Sequence, residues 1–150
     1  ADFSDDINDL KRYYNLISEN NYDAIFGSRF ILGSKLIDYP KDKLILNRIF
    51  NLFVKILFLN RYNDYTNAFK IYKANVLKSF LPLVSESFNI FLEIPLKIIS
   101  RGYTFKIIPI SWARRKKGAA KFKIQELKSK YLFTLLYCLI EKLLLKKRKD

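Results

Sequence analysis

The chain has 150 residues, enough for one domain. Half of them are hydrophobic and 16% aromatic, which excludes intrinsic disorder and allows a sizeable core. It holds no histidine and a single cysteine, Cys138, so an internal disulfide, every histidine-based zinc site and every Ser-His or Cys-His catalytic machine are excluded. The formal charge is +14 and lopsided: residues 1–96 carry 12 Lys/Arg against 11 Asp/Glu, whereas residues 97–150 carry 16 against 3, a net of +13. That imbalance directs the C-terminal end toward an anionic partner: nucleic acid, anionic lipid or phosphate groups.

The absence of methionine implies that the sequence does not begin at a native start codon and reads as a fragment or processed piece. The first stretch is acidic, with Asp2, Asp5, Asp6 and Asp9, and has no apolar core of a signal peptide. No run reaches the roughly 18 apolar residues of a membrane-spanning helix.

Ile7, Leu10, Tyr14 and Ile17 fall at helical spacing, with Ser4 or Asp5 as the cap and Asn20-Asn21 as the stop. Residues 22–26 read as a short strand closed by Gly27-Ser28-Arg29, and a loop with Gly33, Ser34 and Pro40 follows. From Lys41 to Phe58 the pattern is helical, with Leu46, Phe50, Phe53 and Leu57 on one face, and Tyr62-Asn63-Asp64 breaks it. Residues 68–72 suit a strand, 74–80 a short helix and 89–100 a longer one, ended by Gly102 and kinked or started early by Pro95. Thr104 to Ile110 is a strong strand, Arg114 to Lys121 a basic loop, and Ile124 to Lys147 a long helix. Alternating helices and strands define an α/β class with a mixed sheet. Two strong strands make a poor sheet, so further core strands are expected in a part preceding this chain. The composition shift near residue 123 divides the chain into residues 1–123 and a basic helical unit, 124–150.

Strand ends are where α/β proteins place ligands. One such end carries Gly27-Ser28-Arg29 and another leads into Arg114-Arg115-Lys116-Lys117-Gly118, and both offer backbone N–H groups and cations suited to phosphate. Asp2, just ahead of a helix start, has the chemistry to bind a hard divalent metal. Asp2 could equally be a solvated acid, Lys43 and Arg48 a solvated helix face, and Cys138 a small buried hydrophobe.

Taken in order and at these spacings, the motifs resemble glycosyltransferase family 2 enzymes of GT-A fold, and in particular the polyprenyl-phosphate sugar transferases. Ala1-Asp2-Phe3-Ser4 is similar to the family's Asp-Ala-Asp-x-Ser/Gln without its first Asp, and Gly27-Ser28-Arg29 to its Gly-Ser-Arg. Lys43, Asn47, Arg48 and Asn51 fall on its Arg-x-x-x-Ser-Arg/Lys-x-x-Asn; Asp64, Thr66, Asn67, Ala68, Phe69 and Lys70 on its Asp-x-Thr-Ser-Gly-Phe-Arg. Ile90 and Glu93 fall on Phe-x-x-Glu, and Arg115, Gly118, Ala120 and Lys121 on Arg-x-x-Gly-x-Ser-Lys. Four departures stand out: Lys43 for Arg, Asn47 for Ser, Ala68 for Gly and Ala120 for Ser.

The resemblance implies an N-terminally truncated GT-A domain over residues 1–123, with a mixed sheet, flanking helices and a C-terminal amphipathic helix. It implies inverting, metal-dependent transfer of a hexose from a nucleotide-diphosphate sugar to a polyprenyl phosphate. Asp2 and Ser4 would then serve Mg²⁺ or Mn²⁺. Arg29, Lys43 and Arg115 would hold the lipid phosphate and steady developing charge. Gly27, Ser28, Asn47, Arg48, Asp64, Thr66, Gly118 and Lys121 would contribute to substrate binding, Asp64 chiefly by fixing the loop that carries Thr66. Glu93 would either line the acceptor site or pair with a cation.

The ten uncharged residues from Tyr131 to Ile140, between Lys128 and Lys130 on one side and Lys142, Lys146, Lys147, Arg148 and Lys149 on the other, suit a helix lying on an anionic membrane. The expected placement is peripheral, on the cytoplasmic face, with a membrane-embedded partner subunit as an option and without nucleic acid as a ligand. This 150-residue stretch alone is expected to be inactive. The competing readings are a basic nucleic-acid module that stacks bases on Tyr103, Phe105 and Trp112, and an inactive transferase-like scaffold.

Overall fold

A computed structural model describes residues 7–114 and 124–147. The elements in chain order are α1 (Ile7–Glu19), β1 (Ala24–Ser28), β2 (Lys35–Ile37), α2 (Lys41–Leu57), β3 (Lys70–Tyr72), α3 (Ala74–Lys78), α4 (Ile90–Ser100), β4 (Phe105–Pro109), β5 (Ser111–Ala113) and α5 (Ile124–Lys147). Three strands form a mixed sheet in the order β3-β1-β4. β1 runs antiparallel to β3, with Ile25 opposite Ile71, and parallel to β4, with Phe26 opposite Ile107. The result is an α/β architecture with flanking helices, compatible with a GT-A-like fold.

β1 is central and wholly buried, so its alternating side chains feed two cores. Ala24 and Phe26 point to the side covered by α2, α4 and α5, where Val54, Leu92, Leu96, Ile98, Leu135 and Cys138 complete the larger cluster. Ile25 points to the other side and packs with Tyr13 of α1 and with Ile108 and Ile110. The strand lies two residues later than the pattern of residues 22–26 suggests. Asp23 is spent outside it, accepting from the Thr104 amide and hydroxyl at 2.9 Å each, while Gly27 and Ser28 extend the ladder to Ile108 and Pro109.

The loop expected between residues 29 and 40 contains β2, which pairs in parallel with β5. These are three-residue strands whose paired residues lie 76 positions apart in the chain, and they are too short to carry a periodic signal.

α2 is rotated relative to its apparent apolar stripe. Phe50 and Leu57 are half-buried, but Leu46 and Phe53 are exposed, and the inward line is Asn51, Val54 and Phe58. α4 carries Pro95 inside it. Proline has no N–H to give the Phe91 carbonyl one turn back, and the Lys70 ammonium supplies that donor at 3.3 Å. Gly102 ends the helix at φ +76°, as expected, with its N–H on the Ile99 carbonyl and the Tyr103 N–H on that of Ile98, the paired bonds of a Schellman motif.

α5 packs along α4 and is tied to it by a chain of ions: Glu93 to Lys97 at 3.3 Å, Lys97 to Glu141 at 3.4 Å, and Glu141 to Arg101 at 2.5 Å. Thr134, Leu135 and Cys138 are buried against the main core. Leu132, Phe133, Leu136, Ile140, Leu143 and Leu144 are exposed. The helix expected to be amphipathic is therefore apolar both toward and away from the core.

Gly27 is required by space rather than by backbone angle. A Cβ there would collide with the Tyr13 hydroxyl and lie 2.8 Å from the Phe69 carbonyl and 2.9 Å from Ile110 Cγ2. Gly27→Ala is expected to destabilise the fold by about 1–3 kcal/mol through overpacking. The check is a lower urea midpoint with an unchanged m-value.

Candidate functional site at the carboxyl end of the central strand

β1 and β4 run parallel, so their carboxyl ends emerge at one edge, where the chain leaves for β2 and β5. Arg29, the residue after β1, is the hub. Its guanidinium gives Nε to Asp64 Oδ2 at 2.9 Å and Nη2 to Asp64 Oδ1 at 2.6 Å, and its backbone N–H also meets Oδ2 at 2.8 Å. The Arg29 and Asp64 side chains are 8% and 0% exposed. Burial opposes the guanidinium charge, but the Asp64 hydrogen bonds and charge outweigh it and raise the Arg29 pKa beyond its ordinary range.

A ring of side chains grows from this pair. Arg29 Nη2 also donates to Thr66 Oγ1 at 3.3 Å, Thr66 donates to Asn47 Oδ1 at 3.1 Å, Asn47 Nδ2 donates to the Tyr39 hydroxyl, and Arg29 Nη1 donates to the same hydroxyl at 3.4 Å. A guanidinium has five N–H groups, and four are spoken for. Three hydrogens remain without an acceptor among the described residues: one on Arg29 Nη1, one on Asn47 Nδ2, and the phenolic hydrogen of Tyr39. All three are donors, and a set of donors with surplus hydrogens is suited to an anion.

The structure thus brings Arg29, Asn47, Asp64 and Thr66 into one network. Arg48 is exposed beside it, its guanidinium 5.1 Å from the Phe30 ring, which also lies 5.2 Å from that of Arg29. Lys43 stands one turn before Asn47 on α2 and is exposed. Ser28 is buried and occupied, its hydroxyl donating to Asn63 Oδ1 at 2.7 Å and accepting from the Phe30 amide at 3.0 Å. Gly27 is buried in the ladder, its carbonyl taken by Tyr62 and Asn67. Asp64 is sealed under Arg29. These three shape the site from beneath and offer a ligand no surface.

Glu93 lies elsewhere. It accepts from the Val84 and Ser85 amides at 3.0 and 2.8 Å and pairs with Lys97, which is the cation-pairing alternative of its two expected roles. Arg115, Gly118, Lys121, Asp2 and Ser4 lie outside the described residues. Among the described residues no three His, Cys, Asp or Glu side chains converge to hold a metal ion.

Sequence reasoning misses Tyr39, Trp112 and the supporting role of Asn51. Tyr39 closes the ring and packs on Trp112 at a centroid separation of 4.7 Å, which joins the β2 and β5 segments over the site. Asn51, matched only as the last residue of a motif, accepts the Tyr65 amide at 2.6 Å and donates to the Asn47 carbonyl at 2.8 Å, pinning α2 to the loop of Asp64 and Thr66. The signal was available: a buried asparagine on a helix needs partners. Cys138 is a packed hydrophobe, its thiol pushed up to about 12 by burial.

Over 101 residues, 66% of this chain and 38% of the relative, the chain is 25% identical to a polyprenol monophosphomannose synthase of Mycolicibacterium smegmatis. It therefore spans well under half the length of that curated relative. No family model matches the chain. No solved structure matches it.

Two outcomes follow from the buried charges. Asp64→Ala leaves the Arg29 guanidinium buried without its counter-ion and is expected to cost about 3–5 kcal/mol in denaturant unfolding. Lys70, beneath the site, donates to the Tyr65 and Asn67 carbonyls as well as to that of Phe91. Burial lowers its pKa to about 7 from 10.5, with Asp64 opposing and Arg29 assisting the shift. The unfolded chain keeps this proton up to about pH 10.5 while the folded chain releases it near 7, so unfolding takes up a proton in between. Stability is expected to rise with pH across that window, by at most about 1.4 kcal/mol per unit, and Lys70→Gln should flatten the slope.

Proposed function

We propose that this chain is part of a glycosyltransferase that moves a hexose from a nucleotide-diphosphate sugar to a polyprenyl phosphate with inversion. The observation that carries the reading is the ring of Arg29, Thr66, Asn47 and Tyr39, locked by Asp64 at the carboxyl end of β1, with only donor hydrogens to spare. The similarity to a polyprenol monophosphomannose synthase supports the same acceptor class.

In this reading the surplus hydrogens of Tyr39, Asn47 and Arg29 orient the lipid phosphate, and the exposed Lys43 and Arg48 add charge at the rim. Arg29 is chiefly a positioning residue, because Asp64 and Thr66 already hold most of its fork. The phosphate is anionic at neutral pH and needs no strong general base. One of its oxygens bonds to the anomeric carbon as the bond from that carbon to the nucleotide diphosphate breaks, and the leaving diphosphate carries away the electron pair. The harder task is stabilising that developing charge. Arg115, Gly118 and Lys121, from the basic loop, are assigned to it. A divalent cation, Mg²⁺ or Mn²⁺, would supply Lewis-acid stabilisation there. Its ligands would be Asp2, with Ser4 nearby, and residues outside those described.

Two of the three aromatics of the nucleic-acid reading, which include Tyr103, are engaged within the fold. Phe105 packs in the core on Phe26 with centroids 4.8 Å apart, and Trp112 packs on Tyr39.

The test uses the protein that carries this chain, incubated with Mg²⁺, a short polyprenyl phosphate and a panel of radiolabelled nucleotide sugars. Label is expected in the organic phase with one donor and none after EDTA. Tyr39→Phe, which removes the hydroxyl with its surplus hydrogen and also the oxygen that accepts from Asn47 and Arg29, is expected to lower kcat/KM by at least the value of one charge-assisted hydrogen bond, about 10- to 150-fold. Absence of label with every donor from a folded protein overturns the reading.

A further inference from the structure

We infer that Asp9 of α1 is a positioning residue for the donor ring: it holds the amide that opens β5 and thereby sets Trp112 against Tyr39. Its part in transfer rests on the reading proposed above; its hold on β5 does not.

Two exits of the chain cross at the carboxyl edge of the sheet. β1 leaves through Ser28 and β4 through Pro109, and the second exit changes partner within a few residues. The Ile110 amide still donates to the Ser28 carbonyl at 3.2 Å, while the Ile110 carbonyl already accepts from the Lys35 amide of β2, also at 3.2 Å. The parallel pairing of Lys35 with Ser111 and of Ile37 with Ala113 continues from there and ends with the Arg114 amide on the Ile37 carbonyl. The alternation of such a ladder turns the Ser111 N–H away from β2. Asp9 Oδ2 accepts it at 3.1 Å, across 102 positions of sequence.

The β2–β5 pair needs an anchor of this kind. Each strand has three residues, and an isolated two-stranded ribbon is marginal in water. α1 is a firm support. Asp9, Arg12 and Tyr13 lie at i, i+3 and i+4, on one face of that helix. Tyr13 is buried, donates to the Phe69 carbonyl at 3.1 Å and packs edge-on against the Phe69 ring. The Asp9 side chain is only 15% exposed, so water competes little for its oxygens, and a hydrogen bond to a charged group is among the stronger ones. Arg12 adds less. Its guanidinium is half-exposed, 3.8 Å from Asp9 Oδ1 and 3.5 Å from the Pro109 carbonyl, the limit of a hydrogen bond.

What Asp9 holds leads directly to the site. Trp112 follows Ser111 and packs on Tyr39, whose hydroxyl accepts from Arg29 and Asn47. Loss of the carboxylate frees the start of β5, then Trp112, then the Tyr39 ring with the phenolic hydrogen assigned to the phosphate. Asp23 offers a matched comparison. It takes the Thr104 amide at 2.9 Å in the same manner, but at the amino end of β4, away from the site.

The experiment reads the full chain by hydrogen exchange at the Lys35 and Arg114 amides and by acrylamide quenching of Trp112, the one tryptophan of the sequence. Asp9→Ala should speed exchange at both amides at least about tenfold, the value of one hydrogen bond to a charged group, and open Trp112 to the quencher. Asp9→Asn, which keeps an acceptor oxygen, should recover most of both changes. Asp23→Ala should leave both signals unchanged even where it lowers the urea midpoint. In the protein that carries this chain, Asp9→Ala should lower kcat/KM for label transfer to polyprenyl phosphate at least about tenfold, with Asp9→Asn closer to the unsubstituted protein. Unchanged exchange and quenching in Asp9→Ala overturn the hold on β5. The same changes in Asp23→Ala overturn it too, because they mark a general loss of stability. Faster exchange with undiminished transfer overturns the role at the ring. Absence of transfer by the unsubstituted protein overturns the transferase reading and the role at the ring with it, while exchange and quenching still decide the hold on β5.

Discussion

The buried contact between Arg29 and Asp64 organises this molecule. An isolated guanidinium or carboxylate cannot be taken out of water without a large penalty, so each exists in its buried place only because the other is there. The pair joins the end of β1 to the turn that follows α2. Asp64 takes the Arg29 side chain in a fork and its backbone amide as well, which fixes where the chain leaves the sheet. Thr66, two residues on, is thereby brought to Asn47, and Asn47 to Tyr39. A single ion pair in this way sets the positions of three elements and defines the donor-rich rim they share.

The support beneath the pair is unusually polar for so small a core. Tyr62 donates to the Gly27 and Asp64 carbonyls, Asn67 to Gly27, and Asn51 bridges α2 to Tyr65. These groups satisfy the backbone of a loop that is too tight to form ladder bonds, which is why they are asparagines and tyrosines rather than leucines. Such a network rigidifies the rim at the cost of apolar burial. Lys70 shows the tension plainly: it satisfies three carbonyls, including the one orphaned by Pro95, in a setting that drives its own charge away.

Much of this was legible in the residues alone. The alternation of helices and strands, the termination at Gly102 and the long last helix all follow from local rules, and the ordered motifs single out Arg29, Asn47, Asp64 and Thr66 before any coordinates. What was illegible depended on contacts between distant segments. β2 and β5 are too short to have a period, and each is a strand only because the other is there. Tyr39 carries no motif of its own and becomes significant through Arg29 and Asn47. Glu93 matches a motif but is drawn by Lys97 and two amides into the seam between α4 and α5. Asp64 anchors the loop of Thr66 much as expected, whereas the roles first expected of Gly27 and Ser28 shift for a common reason. Burial turns residues at a strand end from ligands into scaffolding, and only their neighbours one shell outward retain hydrogens to offer.

α2 is misread from its pattern for a reason that bears on function. Helical periodicity locates one apolar stripe and assumes that it faces the core. Here the core side of α2 is partly polar, because Asn47 and Asn51 serve the site, while a full apolar stripe faces outward. The helix satisfies three demands at once: Val54 and Phe58 seal the core, Asn47 completes the donor ring, and Ile49, Leu52 and Phe53 present apolar surface beyond. A substrate with an anionic head and an apolar tail places matching demands, since its head needs donors and its tail must stay out of water. A helix with donors on one side and an oily face on the other meets both within a single turn of chain. The geometry of α2 thus sets a donor of the rim and an apolar outer face on the same two turns of one helix.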